Sequence, residues 1–117
     1  MSKSFTSKRK FRVWIYTPSH KTLIIRSEKQ YHDVDYYVAK YDDPEITIDL
    51  EFTGVNFISV PEYFNEITIK KIGDKFIFND NENWFVEAFS CVVGKSNWNY
   101  NQDVFSGLKY NDSIVIK

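Results

Sequence analysis

The chain has 117 residues, of which 26% are charged and 43% hydrophobic, and its formal net charge is −1. This length fits one domain and disfavours a separate cofactor-binding domain, and the composition is typical of a globular protein. No apolar run approaches the roughly 18 residues that a membrane-spanning helix needs, and residues 1–10 do not have the pattern of a signal peptide, so we expect a cytoplasmic protein.

Residue types that favour strands dominate the sequence. Val, Ile, Thr and the aromatic residues account for 49 positions, whereas Leu, Ala and Met account for 6. This bias predicts a mainly β fold, namely an antiparallel sandwich or a partly open barrel of about seven strands with little helix. We expect a single β domain over residues 11–117, preceded by a basic, flexible tail at residues 1–10.

A hairpin is the first predicted element. Two runs that favour strands, residues 11–16 and 22–27, flank a short connection that contains Pro18. If Thr17 pairs with Thr22, both faces of the hairpin are apolar, and we therefore expect it in the interior of a sheet. One face would hold Val13, Ile15 and Ile24, and the other Trp14, Tyr16, Leu23 and Ile25.

The next predicted strand, residues 46–53, alternates apolar with polar side chains. This period of two predicts one buried face and one solvent-facing side, and it places Asp49 on the solvent-facing side. Gly54 is then either a turn or a bulge in a longer strand that continues to Val60, and Pro61 ends that strand.

The pattern of residues 66–93 predicts a three-stranded antiparallel meander. Gly73-Asp74 supplies a two-residue turn, and residues 80–83 supply a polar turn. Residues 84–93 have few polar side chains, so we expect them to form a central strand. Ile114–Ile116 is a final short strand that would hold the C-terminus.

The segment from Trp14 to Ser27 resembles a motif in a family of small, poorly characterised bacterial proteins. In that motif a Ser-His pair opens a stretch that ends in Arg-Ser, and here these residues are Ser19-His20 and Arg26-Ser27. Residues 55–61 and 84–91 are also similar to the family. The family has no established activity, and the resemblance implies an accessory or immunity-like protein.

Four residues of the chain invite a chemical interpretation. Adjacent side chains such as Ser19 and His20 seldom face each other, and about 20 Å of extended chain separates His20 from Arg26, so we expect His20 to bond to its own turn. Arg26 should be partly buried and therefore needs a carboxylate, for which Glu87 is a candidate. An unpaired, desolvated Glu87 would instead suit a general acid or base, and a hydrolase built on Glu87 or His20 is the weakest hypothesis.

Charge is distributed unevenly along the sequence. Residues 1–12 carry five basic side chains and no acid, whereas residues 31–51 carry seven acids and one lysine. Tyrosines interleave with aspartates in this acidic stretch, and such a surface can dock a basic protein, although a solvated loop has the same composition. The candidate partner-binding residues are Tyr31, Asp33, Asp35, Tyr36, Tyr37, Tyr41, Asp42 and Asp43.

The leading hypothesis is a non-enzymatic binding protein, immunity-like in character, that masks a basic protein partner. The alternative is a module that binds a nucleotide or a sugar, because aromatic rings stack on both; its ligand-binding residues would be His20, Lys21, Trp98 and Tyr100. The net charge of −1 disfavours nucleic acid as a partner. One cysteine and two histidines are few metal ligands, so we expect neither a metal nor a cofactor.

Overall fold

The computed structural model describes residues 4–27, 46–96 and 112–116. These residues form strands and no helix, so none of them belongs to a helix that could cross a bilayer. The strands are β1 (Ser4–Ser7), β2 (Phe11–Thr17), β3 (Thr22–Ser27), β4 (Thr47–Thr53), β5 (Phe57–Ser59), β6 (Tyr63–Phe64), β7 (Ile67–Ile72), β8 (Lys75–Phe78), β9 (Asn81–Glu87), β10 (Ser90–Ser96) and β11 (Asp112–Ile116).

The strands form two antiparallel sheets. One sheet has six strands in the order β11-β10-β4-β3-β2-β6, and the other has five in the order β1-β7-β8-β9-β5. The predicted antiparallel β-sandwich is therefore confirmed, and the two sheets do not close into a barrel. The described residues contain eleven strands rather than about seven, because runs that look continuous in the sequence are divided between the sheets and because β1 and β6 are not predicted.

The core lies between the two sheets, where the inward-facing residues of each strand meet. The Phe52 ring of the six-stranded sheet lies 5.5 Å from the Phe76 ring and 6.0 Å from the Phe78 ring of the five-stranded sheet. Burying one such ring stabilises the fold by about 1.5–3 kcal/mol, so this aromatic layer contributes strongly to holding the sheets face to face. The fully buried apolar residues include Phe11, Leu23, Ile25, Leu50, Phe52, Ile67, Ile69, Phe76, Phe78, Val86 and Ile116.

The first predicted hairpin is present as β2 and β3, and both strands are interior to the six-stranded sheet. Thr17 pairs with Thr22, as the sequence predicts. The predicted faces are confirmed from Ile15 to Ile24 and are wrong at Val13, because a β-bulge shifts the register between Val13 and Ile15. The bulge pairs Val13 with Ile25, so Val13 lies on the face opposite to the predicted one.

Strand β4 is buried on both faces. Its predicted solvent-facing side is wrong at Asp49, which is 0% exposed, and at Thr47, which is 6% exposed. The strand lies between β3 and β10, and Asp49 pairs in register with Arg26. A charge of opposite sign on the neighbouring strand is what allows this carboxylate to be buried.

Two of the crossings between the sheets lie at Gly54 and at Phe89. Strand β4 ends at Thr53 in one sheet and β5 begins at Phe57 in the other, so Gly54 is a turn and not a bulge in one long strand. The predicted single strand over residues 84–93 is also wrong, because it is divided into β9 and β10. A backbone hydrogen bond of 2.9 Å from Phe89 N to Thr53 O ties the two crossings together.

The predicted meander is confirmed for β7, β8 and β9. Gly73, with φ of 66°, and Asp74 form its first turn, as predicted. The second turn is Asn79-Asp80, where φ is 55° and 54°, a conformation that asparagine and aspartate tolerate. Residues 81–83, predicted as part of this turn, instead belong to β9.

Both ends of the described chain lie on sheet edges. Ser4–Ser7 falls within the predicted flexible tail, yet it forms the edge strand β1, which pairs with β7. Arg9 is only 6% exposed, so the basic segment is in part packed against the domain. The predicted C-terminal strand is confirmed as β11, which pairs with β10 and forms one edge of the six-stranded sheet.

Candidate functional site

The predicted Tyr/Asp surface lies outside the described residues, since all of its members fall in segment 28–45. Two acids of the wider acidic stretch are described: Asp49 is buried and Glu51 is half-buried. Asp49 therefore adds nothing to a negative surface. The segment leaves the six-stranded sheet after Ser27 and returns at Ile46, and Arg9 marks this end of the sandwich by donating a 2.6 Å hydrogen bond from Nη2 to Ile46 O.

The His20-Lys21 turn is exposed and lies at the other end of β3. Ser19 Oγ is 3.3 Å from His20 Nδ1, so these adjacent side chains do meet, contrary to the prediction. The Thr22 hydroxyl donates a hydrogen bond to His20 O, which stabilises the turn. Trp98 and Tyr100 lie outside the described residues, and their segment leaves the sheet after Ser96, at the end opposite to this turn. His20 and Lys21 are therefore the members of the predicted ligand site that the structure describes.

Arg26 forms a buried ion pair with Asp49. Its Nε and Nη2 donate hydrogen bonds of 2.6 and 2.9 Å to the two carboxylate oxygens, and the side chains are 2% and 0% exposed. The prediction that Arg26 needs a carboxylate is confirmed, but the predicted partner, Glu87, is wrong. Glu87 belongs to the other sheet, on β9.

The Trp14 ring accompanies this ion pair. The guanidinium carbons of Arg26 and Arg12 lie 4.7 and 5.3 Å from the ring centroid. The bulge at Trp14 makes this possible, because it places the ring beside two arginines that face each other in register. Since Arg26 and Asp49 are buried, their ion pair lies inside the domain and does not form an exposed binding surface.

The open face is our name for the solvent side of the five-stranded sheet around Phe57, Lys75, Phe85 and Glu87. The alternate residues Val86 and Phe76 point into the core and are 0% exposed, so these four side chains point away from it. The Phe57 and Phe85 rings stack with centroids 5.5 Å apart and planes 11° apart. Lys75 Nζ lies 4.6 Å from the Phe85 centroid. A cation and two rings thus form a stack across three strands.

Glu87 lies in the middle of the open face. It pairs in register with Phe57 on one side and with Lys75 on the other. A lysine in this position would ordinarily form a cross-strand ion pair, but Lys75 is placed over Phe85 instead. Among the residues that the structure describes, the half-buried Glu87 carboxylate makes no hydrogen bond or ion pair.

Two large apolar side chains are exposed, one on the register partner of Glu87 and one two residues after it in sequence. Phe57 is 56% exposed and Phe89, which follows Glu87 at the crossing between the sheets, is 82% exposed. Neither ring is predicted from the sequence to be a functional residue. Phe57 could have been found from its position in the short run between Gly54 and Pro61, whereas Phe89 falls in a run that looks like a continuous central strand.

No group of three or more histidine, cysteine or acidic side chains that could hold a metal ion occurs in residues 4–27, 46–96 and 112–116. Comparison with known proteins finds no matching family model, no matching curated protein and no matching solved structure. The open face is therefore the candidate functional site on its geometry alone.

Proposed function

We propose that this protein is a non-enzymatic binding protein that masks a protein partner with an exposed basic surface, in the manner of a cytoplasmic bacterial immunity or antagonist protein. The observation that carries this proposal is the open face, where the exposed ring of Phe57 is the register partner of Glu87, and the Glu87 carboxylate makes no hydrogen bond or ion pair within the described residues. Phe89, two residues after Glu87 in sequence, adds a second exposed ring. An exposed aromatic side chain beside a charge is the composition of an interface centre rather than of an ordinary solvated sheet.

The partner's charge follows from the groups that lack a partner in this chain. The Lys75 ammonium contacts the Phe85 ring, and on the same sheet Lys70 Nζ donates a 3.0 Å hydrogen bond to Asp80 Oδ1. Glu87 is the charged group of the open face with neither kind of contact. A basic partner would pair with it and would be attracted to it during the encounter.

The acidic segment supports the same class of partner. The aspartates Asp33, Asp35, Asp42 and Asp43 interleave with tyrosines. Residues 31–51 as a whole carry seven acidic side chains and one lysine. We propose that these acids steer a basic protein towards this one, while the rings of the open face provide contact area.

Affinity capture from host extract tests this function. The bait is the whole protein, either with its own sequence or with Phe57→Ala and Phe89→Ala combined; Tyr63→Ala, which removes a ring that is 53% exposed on the other sheet, is the matched control. We expect one basic protein that the unaltered bait and the Tyr63→Ala bait retain and the double variant loses.

Two other outcomes are informative. A partner that survives the double variant but is lost when the four aspartates become asparagines would assign binding to the acidic segment and remove the open face from the proposal. A set of captured proteins that is the same for every bait would contradict the proposed function.

A further inference from the structure

We propose that Phe57 and Glu87 bind an arginine side chain of the partner, with the guanidinium stacked on the Phe57 ring and hydrogen-bonded to the Glu87 carboxylate. This inference rests on the proposed function, and it names the chemical group that the open face recognises.

The six-stranded sheet of the same chain contains a cluster of the same three groups, namely an arginine, a carboxylate and an aromatic ring. Arg26 lies 4.7 Å from the Trp14 centroid and donates two hydrogen bonds to Asp49, which is its partner in register. The open face has a ring and a carboxylate, Phe57 and Glu87, which are themselves partners in register. What the open face lacks, within the described residues, is the guanidinium.

The Phe57 ring has one face available for this contact. Phe85 stacks on it from one side, nearly parallel at 11°. No second ring or cation contacts Phe57 in the described part of the chain, and the side chain is 56% exposed. Because β5 is the edge strand of its sheet, a partner can approach this ring without displacing any strand.

Arginine fits this site better than lysine does. A guanidinium is planar, so it can extend the stack of planar groups that Phe85 and Phe57 already form, and its fork of N–H donors matches a carboxylate. A lysine ammonium is a compact and strongly hydrated charge that gains less from either contact. The open face therefore selects arginine by shape as well as by charge.

The probe for this inference is N-acetyl-arginine amide, titrated into the ¹⁵N-labelled protein while the amide resonances are followed by NMR. We expect shifts centred on Phe57 and Glu87 and a dissociation constant on the order of tens of millimolar, as expected for one cation–π contact plus one ion pair. N-acetyl-citrulline amide, which has the same shape but no charge, should bind about tenfold more weakly. N-acetyl-lysine amide should also bind more weakly than the arginine probe.

Two conservative variants test the residues themselves. Glu87→Gln should weaken binding of the arginine probe about tenfold, since it replaces a carboxylate with a neutral amide of the same size. Phe57→Leu, which keeps an apolar side chain but removes the ring, should weaken it several-fold. Glu82→Gln, a change at an exposed carboxylate on the same strand, is the matched control and should leave affinity unchanged.

The outcomes separate this inference from the proposed function. Absence of shifts at Phe57 and Glu87, equal binding of the lysine probe, or an equal loss in Glu82→Gln would overturn arginine recognition. A captured partner that depends on Phe57 and Phe89 but not on Glu87 would overturn it too, while the proposed function stands. Binding of the arginine probe at this site with no captured protein would support arginine recognition and contradict the proposed function.

Discussion

Asp49 neutralises the charge of the buried Arg26, and removal of the Asp49 carboxylate should destabilise the protein strongly. In Asp49→Ala the Arg26 guanidinium would keep its burial and lose both carboxylate hydrogen bonds. We expect the free energy of unfolding to fall by about 3–5 kcal/mol, because an uncompensated charge remains in the interior. Urea denaturation followed by tryptophan fluorescence measures this change.

The exposed ion pair of the five-stranded sheet is the control for Asp49→Ala. Lys70 and Asp80 have side chains that are 51% and 73% exposed, so Lys70→Met should change the free energy of unfolding by no more than about 1 kcal/mol. Similar losses in Lys70→Met and Asp49→Ala would show that burial does not decide the value of the Arg26 pair.

Cys91 should make the stability of the protein depend on pH in the alkaline range. Burial, and after it the negative charge of Glu51, raises the pKa of the Cys91 thiol well above its ordinary value of 9.0. The folded state therefore keeps a proton that the unfolded state releases, and stability that is fully present below pH 9.0 should be lost as the pH rises above it.

Denaturation at pH 8 and pH 10 measures this loss, and Cys91→Ala is the comparison that isolates the thiol from lysines and tyrosines that titrate nearby. The difference in stability between the two pH values should be smaller in Cys91→Ala. The folded protein should also react slowly with iodoacetamide, since the thiolate is the nucleophile. An equal pH dependence in both proteins would contradict this account.

At the scale of residues, the sequence predicts that a buried charge requires an opposite charge better than it predicts which residue supplies that charge. It predicts that Arg26 requires a carboxylate, because a buried guanidinium without one is costly. It does not predict which carboxylate, because Asp49 and Glu87 each lie in a run with apolar neighbours. Only the order of the strands, which places β4 beside β3 and puts β9 in the other sheet, decides between them.

At the scale of elements, Gly54 occupies a position that requires glycine for two reasons, its backbone conformation and its close approach to Phe89. Its φ is +65°, and a Cβ there would lie 2.8 Å from Phe89 Cβ. We expect Gly54→Ala to lower the free energy of unfolding by about 2–4 kcal/mol, because φ would be strained and the backbone at Phe89 would be displaced.

Gly73→Ala is the matched control for Gly54→Ala. Gly73 has nearly the same φ, +66°, but nothing lies within 4 Å of a Cβ placed on it. Its cost should be that of the backbone strain alone, about 1 kcal/mol. Thermal denaturation of both variants measures the difference, and equal losses would show that the contact with Phe89 does not matter.

The elements themselves are predicted well where one physical signal dominates. The hairpin β2–β3, the turn Gly73-Asp74 and the strand β11 follow from alternation and from turn residues. The crossing at Phe89 is not predicted, because residues that are apolar on both sides fit either sheet and no proline or glycine marks the change. The β-bulge at Trp14 is missed for the same reason, and one shifted residue then reverses the predicted face of Val13.

At the scale of the whole molecule, the two candidate binding features have distant attachment points. Segment 28–45 is joined to the sheet at Ser27 and Ile46, whereas Phe57 follows the far end of β4. The seven residues of β4 span about 23 Å at roughly 3.3 Å per residue. The attachment points are thus farther apart than the Debye length of about 8 Å at physiological ionic strength. We predict that the two features contribute to binding independently.

Association kinetics with a captured partner should therefore separate the two features. We expect the variant with Asp33, Asp35, Asp42 and Asp43 changed to asparagine to bind more slowly and to lose most of the salt dependence of the association rate, because steering depends on charge. Phe57→Ala should mainly raise the dissociation rate, because it removes contact area.

In the combined variant the two losses of binding free energy should add to within about 0.5 kcal/mol, as is usual for sites without shared contacts. Surface plasmon resonance at several salt concentrations measures both rates, and a combined variant that binds as well as either parent would mean that the partner does not use the two features independently.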